Sequence, residues 1–367
     1  MKVCFFIWGL RAAGAERVLT LLANAWAGKG WQIAVLTMER PDQRPFYPLA
    51  PSVDIRALDL MRDSTGPISG LMNNLRRVRA IRRAVAEQAP DVVVSFIDGG
   101  NILCVLATRG LGIPVVISER TDPSRRSLGP VWGRLRDLTY PMASVAVFQS
   151  RAVLDWFPPR VRAKGRVIPN PVPPPPLPPG GPPADGRERR RVLALGRLHP
   201  VKGFDILLRA FQTALAEVPG WTLDIWGDGP ERESLGRLAG ELGLGDAVRF
   251  RGLTDEPFQV LRGADLYVLS SRAEGFPNAL VEAMACGLPV ISTDFGGAAR
   301  DIVQDGVNGL LVPPEDPGAL AAALVRLMRD GEARRRLGAT ATEVVQRYST
   351  DRVVAMWEEA VAAARKS

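Results

Sequence analysis

Arg197 and Lys202 stand five residues apart in Gly196-Arg197-Leu198-His199-Pro200-Val201-Lys202-Gly203, a stretch that follows an apolar run and precedes an amphipathic one. A fixed pair of cations suits a diphosphate, because a guanidinium grips oxygens two at a time and an ammonium adds a point charge. Taken alone, the pair reads equally well as a solvated turn. Further along, Gly227-Asp228-Gly229-Pro230 and Arg251-Gly252-Leu253-Thr254 place glycine where backbone can approach a ligand closely, and Gly252 with Leu253 can offer backbone groups to the edge of a base. Neither stretch is specific by itself.

The densest run is Ser270-Ser271-Arg272-Ala273-Glu274-Gly275-Phe276-Pro277-Asn278, continuing through Ala279-Leu280-Val281-Glu282-Ala283-Met284-Ala285-Cys286-Gly287. Pro277 suits a first helical turn, so the run predicts a loop carrying Glu274 and Gly275, then a helix whose leading N–H groups and positive dipole end favour a phosphate. Glu282 follows Glu274 by about two helical turns. One carboxylate in the loop and one on the helix can hold two hydroxyl-bearing parts of a single ligand, such as a sugar and a ribose. The competing reading is a surface helix with Glu282 solvated and Glu274 capping the first turn.

Groups of this kind act together only if strands end beneath them, and the chain supplies such strands. Short apolar runs at residues 3–8, 32–37, 92–96, 115–118 and 144–149 alternate with helical patterns at 16–27, 71–88 and 101–109. A second series predicts strands at 191–196, 222–226, 248–251, 266–269, 290–292 and 309–312, with helices at 204–217, 231–242, 278–286 and 317–328. Alternation of this type predicts α/β domains with parallel sheets, whose ligands sit at the carboxyl ends of the strands. Between the series, Pro169 to Pro183 can be neither helix nor central strand and reads as a stiff linker. The predicted organisation is residues 1–168, a Pro-rich linker 169–186, a second domain 187–348, and a last helix in 349–367 placed across the domain junction.

The chain has 367 residues, 46% hydrophobic and 23% charged, the profile of a globular protein with a substantial core. No apolar run reaches the ~18 residues of a membrane span. Arg11 breaks the apolar stretch from Val3 to Leu10, which argues against a secretion signal. Cys4, Cys104 and Cys286 are odd in number and far apart, which suggests a reducing cytoplasm without disulfides or a zinc site. Residues 1–168 carry 24 basic and 13 acidic side chains, whereas 169–367 carry 23 and 26. The basic half therefore calls for an anionic partner: nucleic acid, an acidic lipid surface or a phosphate-bearing substrate.

Arg197 with Lys202, the Gly227-Asp228-Gly229 turn and the Glu-x7-Glu run from Glu274 to Glu282 together resemble the retaining nucleotide-sugar glycosyltransferases of family four. Thr293-Asp294-Phe295-Gly296-Gly297 and Asp305-Gly306-Val307-Asn308-Gly309 continue that pattern, and Gly14-Ala15-Glu16-Arg17 extends it into the first domain, with Ala13 where the family often has a second glycine. The resemblance implies the GT-B fold, two Rossmann-like domains facing across a cleft. It further implies that Arg197 and Lys202 neutralise the diphosphate and that Glu274, Gly275 and Phe276 hold sugar hydroxyls. Pro277 and Asn278 open the helix, Glu282 holds the ribose, and Gly227, Gly229, Gly252 and Leu253 complete the donor side. On the acceptor side it points to Gly14, Asp98, Glu119 and Arg120, with Glu119 or Asp98 meeting an acceptor hydroxyl where many relatives have histidine.

No Asp-x-Asp triplet occurs, so neither a metal nor another cofactor is expected, and His199, the single histidine, reads as a loop residue. Ser118-Glu119-Arg120 is similar to the subset of the family that extends lipid-linked oligosaccharides in bacterial glycan assembly. The expected partners are a nucleoside-diphosphate sugar, with UDP preferred and a hexose or N-acetylhexosamine as the sugar, and a glycan or lipid-linked acceptor. An anionic membrane surface is a further expected partner, since Leu71, Leu75, Val78, Ile81 and Val85 recur at helical spacing with five arginines between them. The same stripe reads equally well as packing on the sheet, with solvated arginines. Arg125, Arg126, Arg134 and Arg136 extend the basic face or grip an acceptor pyrophosphate. Rival readings are a nucleotide-sugar epimerase on the same fold, which needs more acid/base groups than this sequence offers, and a non-catalytic sugar binder. Nucleic acid fits poorly because the basic helix carries no aromatic residue.

Overall fold

The computed structural model describes residues 1–61, 66–124, 127–176 and 190–366. Two compact units emerge, one made of Met1–Asn170 with Asp351–Ser367, the other of Pro171–Thr350.

In the first unit the strands are β1 (Lys2–Ile7), β2 (Gln32–Thr37), β3 (Asp54–Ala57), β4 (Val92–Phe96), β5 (Val115–Ser118), β6 (Val145–Phe148) and β7 (Gly165–Val167). They pair in parallel in the order β3-β2-β1-β4-β5-β6-β7. Helices cover both faces, which is why central strands such as Val92-Val93-Val94-Ser95-Phe96 are unbroken buried runs and not alternating ones. The edge strands β3 and β7 escape sequence reading for the opposite reason. Asp54-Ile55-Arg56-Ala57 and Gly165-Arg166-Val167 are short, half-exposed and carry no apolar run.

The helix Gly14–Gly28 packs on one face of this sheet together with the last helix, Thr350–Ala364. Trp357 is fully buried and stacks on Phe96, with ring centroids 5.7 Å apart. Truncating a tryptophan so placed costs about 3–5 kcal/mol. The last helix is thus part of the first unit's core; its alternation of Val353, Val354, Trp357, Ala360 and Val361 is the stripe that finds this face. On the opposite face lie the helices Pro67–Gln88 and Asp98–Thr108, with Ile81, Val85, Ile102 and Leu103 buried.

The second unit contains β8 (Arg191–Leu195), β9 (Thr222–Trp226), β10 (Val248–Gly252), β11 (Leu266–Leu269), β12 (Val290–Thr293) and β13 (Leu310–Val312). Their parallel order is β10-β9-β8-β11-β12-β13. The helices Phe204–Glu217 and Pro317–Arg329 cover one face, and Asn278–Ala285 the other. The chain leaves β8 toward one edge and returns at β11 toward the other, so the direction of strand order reverses between these two neighbours. The carboxyl ends of β8 and β11 are therefore where an open parallel sheet of this kind takes its ligands.

The start of the Pro-rich segment is packed instead of free. Asn170 and Val172 are buried, and the Val172 N–H donates to the Tyr348 carbonyl at 2.9 Å. Residues 177–186 of the expected linker lie outside the described residues, as do Arg125 and Arg126.

Candidate active site

The loops after β8 and β11 meet through their side chains. Lys202 closes a single 3-10 turn, Pro200–Lys202, and its Nζ lies 2.6 Å from Oε1 of Glu274. The same oxygen accepts from the Ser271 hydroxyl at 2.6 Å, and the Ser270 hydroxyl donates to the Lys202 carbonyl at 2.9 Å. Both partners of the ion pair are mostly sheltered, with side chains 23% and 12% exposed. Their Coulomb attraction is therefore screened less than that of a surface pair. Arg197 is exposed beside them and makes no hydrogen bond or ion pair with the described residues.

Glycine makes this convergence sterically possible. At Gly227 a Cβ would stand 1.9 Å from the Gly196 carbonyl oxygen, and at Gly229 one would stand 2.4 Å from that of Leu198. Both have positive φ, 134° and 159°. The Gly227 N–H donates to Gly252 O at 2.7 Å, so the turns after β8, β9 and β10 are laced together by backbone. Gly252 sits at a register shift of β10, and Leu253 beyond it is 78% exposed. Arg251 does not join the site, because its guanidinium pairs with the buried Asp224 carboxylate at 3.1 Å.

Pro277 precedes the helix Asn278–Ala285, as its sequence position suggests, and Gly275 is partly exposed in the loop before it. The Phe276 ring is buried and packs edge-on against Tyr348, so only its backbone is available to a ligand. Glu282 is buried on the helix, 5% exposed, which removes the reading of a solvated surface carboxylate. His199 caps the 3-10 turn, its Nδ1 accepting from the Val201 N–H at 3.3 Å.

Sequence reasoning did not assign a role to Arg272, whose guanidinium is fixed by Asp205, Glu315 and the Pro200 carbonyl. Hydrogen bonding to Asp205 holds it firmly in the charged form, well above its ordinary pKa. Its only sequence signal was adjacency to Glu274, since its partners lie far away in the chain.

At the carboxyl edge of the first unit's sheet, Asp98 follows β4 and Glu119 follows β5. Expected to meet a ligand, Glu119 is 1% exposed and fully engaged. Its Oε1 accepts from the Arg120 N–H, the Thr121 N–H and the Thr121 hydroxyl, and its Oε2 from Tyr140 at 2.7 Å. Burial raises its pKa. Asp98 differs: Oδ1 accepts from the Gly99 N–H at 2.6 Å, whereas Oδ2 has no partner among the described residues. Arg120 lies over the Phe96 and Trp357 rings and donates to Asn170 at 2.6 Å; burial draws its pKa down to about 9. Gly14 opens its helix after Ala13, an extended cap that makes no side-chain hydrogen bond.

Two further expectations change. Arg136 is buried against Trp156 and Phe157 and adds nothing to a basic surface, whereas Arg134 is exposed. The five-residue stripe on the helix Pro67–Gln88 is divided. Ile81 and Val85 are fully buried in the core on that face, with Val78 packed against it, while Leu71 is 63% and Leu75 41% exposed.

Residues 189–330 match a family model described as glycosyl transferases group 1, and residues 13–171 match one described as glycosyl transferase 4-like domain. Over 375 residues the chain is 30% identical to D-inositol 3-phosphate glycosyltransferase of Acidothermus cellulolyticus, with 87% of this chain and 79% of that protein covered. The chain belongs to the group 1 glycosyltransferases.

This glycosyltransferase is also 28% identical to a GalNAc-alpha-(1->4)-GalNAc-alpha-(1->3)-diNAcBac-PP-undecaprenol alpha-1,4-N-acetyl-D-galactosaminyltransferase of Campylobacter jejuni, over 99% of this chain and 98% of that one. An exopolysaccharide phosphotransferase of Streptomyces coelicolor shares 28% identity, but the chain spans only 40% of its length. Among solved structures, HepE of Anabaena in complex with UDP superposes with a TM-score of 0.79 at 21% identity, covering 99% of this chain and 100% of that one. The fold of the glycosyltransferase is therefore GT-B, with two parallel-sheet Rossmann-like domains. Among its described residues no helix is long and apolar enough to cross a membrane.

Proposed function

We propose that this glycosyltransferase moves a sugar from a nucleoside-diphosphate sugar to a glycan acceptor with retention of configuration and without a metal. The observation that carries the donor half is the Lys202–Glu274 contact at the reversal of strand order, with Arg197 exposed beside it. Negative charge grows on the diphosphate as the glycosidic bond breaks; Lys202, held against Glu274, and the start of the helix Asn278–Ala285 are in place to stabilise it, and the exposed Arg197 adds a second cation. Glu274 and the backbone of Gly275 and Phe276 take sugar hydroxyls, Glu282 takes the ribose, and Gly252 with Leu253 meets the base edge.

In this reading the bond from the anomeric carbon to the departing phosphate oxygen breaks, the acceptor oxygen bonds on the same face, and the departing phosphate takes the acceptor's proton. No separate enzymic base is then needed. UDP is the proposed carrier, with a hexose or N-acetylhexosamine as the sugar; the Anabaena neighbour bound to UDP supports that choice. Asp98 is the proposed acceptor-side carboxylate, since Glu119 is occupied within the protein.

A lipid-linked acceptor in bacterial surface glycan assembly is proposed from the Campylobacter relative, whose acceptor is carried on undecaprenol. The exposed Ile68, Leu71, Met72 and Leu75, next to arginines on the same helix, supply the surface that would rest on an anionic membrane. A melting panel against UDP, GDP and ADP with EDTA present tests the donor reading. Saturating nucleotide at 100 times its dissociation constant stabilises by about 2.7 kcal/mol. One nucleotide should raise the melting temperature of the wild type and raise that of Lys202→Ala much less; no shift with any nucleotide overturns the reading.

A further inference from the structure

Five hydrogen bonds leave the Arg272 guanidinium, and all end on protein. Nε donates to Glu315 Oε1. One terminal nitrogen donates to the Pro200 carbonyl and, at 2.9 Å, to Asp205 Oδ1. The other donates to Asp205 Oδ2 at 2.8 Å and to Glu315 Oε2 at 3.3 Å. A guanidinium has five N–H groups, so none remains for a ligand. Through these bonds Arg272 ties three elements together. Those elements are the loop after β11, which carries Glu274; the turn Pro200–Lys202 with the first residues of the helix Phe204–Glu217; and the loop after β13, which carries Glu315.

The backbone repeats the link. The Arg272 N–H donates to the Val201 carbonyl at 2.8 Å, and the Thr293 hydroxyl, at the end of β12, donates to the Ser271 carbonyl. Glu315 itself adopts φ 59°, a left-handed conformation uncommon outside glycine, with its carboxylate turned onto Arg272. Lys202 reaches Glu274 on a long stem, and its turn fixes where that stem begins. A bidentate arginine clamp on Pro200 and Asp205 holds that turn from both ends.

We propose that Arg272 is a positioning residue that sets the turn Pro200–Lys202 so that Lys202 meets the diphosphate, without touching the donor itself. The inference rests on the donor reading above. A lysine cannot reproduce the fork, so Arg272→Lys should behave like Arg272→Ala.

The test is titration calorimetry of UDP, GDP and ADP on the full chain, comparing wild type, Lys202→Ala, Arg272→Ala, Arg272→Lys, Asp205→Asn and the double variant Lys202→Ala with Arg272→Ala. Melting of each ligand-free protein is read in parallel. Arg272→Ala and Arg272→Lys should weaken the binding of the preferred nucleotide at least tenfold, and Asp205→Asn should weaken it in the same direction. The double variant should bind no more weakly than Lys202→Ala alone, because Arg272 acts through Lys202. A merely structural role gives lower melting temperatures with affinity retained in the folded fraction, or losses that multiply in the double variant; either overturns the proposal. Loss of affinity in Lys202→Ala with none in Arg272→Ala refutes the positioning role and leaves the donor site intact. No binding by the wild type refutes both.

Discussion

Nζ of Lys202 lies 2.6 Å from Oε1 of Glu274, joining two loops whose residues are 72 positions apart in the chain. The contact falls where the sheet order of the second unit reverses, so a cation and a carboxylate share the crevice that a parallel sheet leaves open. Removing the ammonium leaves Glu274 with only the Ser271 hydroxyl and, on the proposed donor reading, takes a fixed charge from the leaving group. Lys202→Ala should lower kcat by about two to three orders of magnitude, the usual effect of losing one preorganised stabilising donor. Steady-state kinetics on the preferred donor checks this; a loss under tenfold contradicts it.

Glu282 is buried on its helix, and its proposed partner is a ribose hydroxyl. Wild type should bind UDP roughly tenfold or more tightly than 2′,3′-dideoxy-UDP, and Glu282→Ala should bind the two alike. Competition binding reads the difference. A preference that survives in Glu282→Ala assigns the ribose to another group.

The glycines of the turns after β9 and β10 differ in what a methyl group would meet. Gly227→Ala places Cβ 1.9 Å from a carbonyl oxygen at φ 134°, whereas Gly252→Ala meets no atom within 4 Å and carries only the strain of φ 80°. Gly227→Ala should cost about 3 kcal/mol or more, Gly252→Ala about 1–2 kcal/mol. At about 2–4 °C per kcal/mol the two are separable by melting. Equal shifts would show that the turn after β9 yields easily.

Glu16 has a raised pKa because it is buried, and its Oε2 has no hydrogen-bond partner among the described residues. A carboxyl whose folded pKa exceeds its unfolded one binds more protons in the folded state, so its contribution to stability is complete below the unfolded pKa and declines as pH rises toward the folded pKa. Glu16→Gln should therefore melt higher than wild type at pH 7.5, with the gap closing by about pH 4.5, near the unfolded pKa of a glutamate. Melting curves across that range decide it; a gap that widens on acidification reverses the sign and refutes the burial argument.

Ile68 is 81% and Leu71 63% exposed at the start of a helix rich in arginine. Ile68→Asp combined with Leu71→Asp should reduce sedimentation with phosphatidylglycerol vesicles at least tenfold and leave nucleotide affinity unchanged. Unchanged sedimentation would remove this helix from any membrane contact.

Much of the fold was legible because central parallel strands are buried on both faces and appear as plain apolar runs; residues 204–217 were read as a helix with the bounds the structure gives. The edge strands at 54–57 and 165–167 were not, having too few apolar positions to register. Single-residue spacing located Lys202 and Glu274 separately, but only the sheet order brings them together. Arg272 depends on Asp205 and Glu315, and no local pattern links those three. Glu119 misled for a different reason. Its place after β5 suggests a ligand contact, yet Thr121 two residues on and the more distant Tyr140 take up its oxygens.

On the proposed reading the turn bearing Arg197 and Lys202 grips a diphosphate. The most direct measurement compares the binding of the preferred nucleoside diphosphate with that of its monophosphate, in EDTA, for wild type and for Lys202→Ala combined with Arg197→Ala. The diphosphate should bind wild type at least tenfold more tightly than the monophosphate, and the double variant should lose this difference. Equal affinities in wild type, or a preference that persists without both cations, would contradict it.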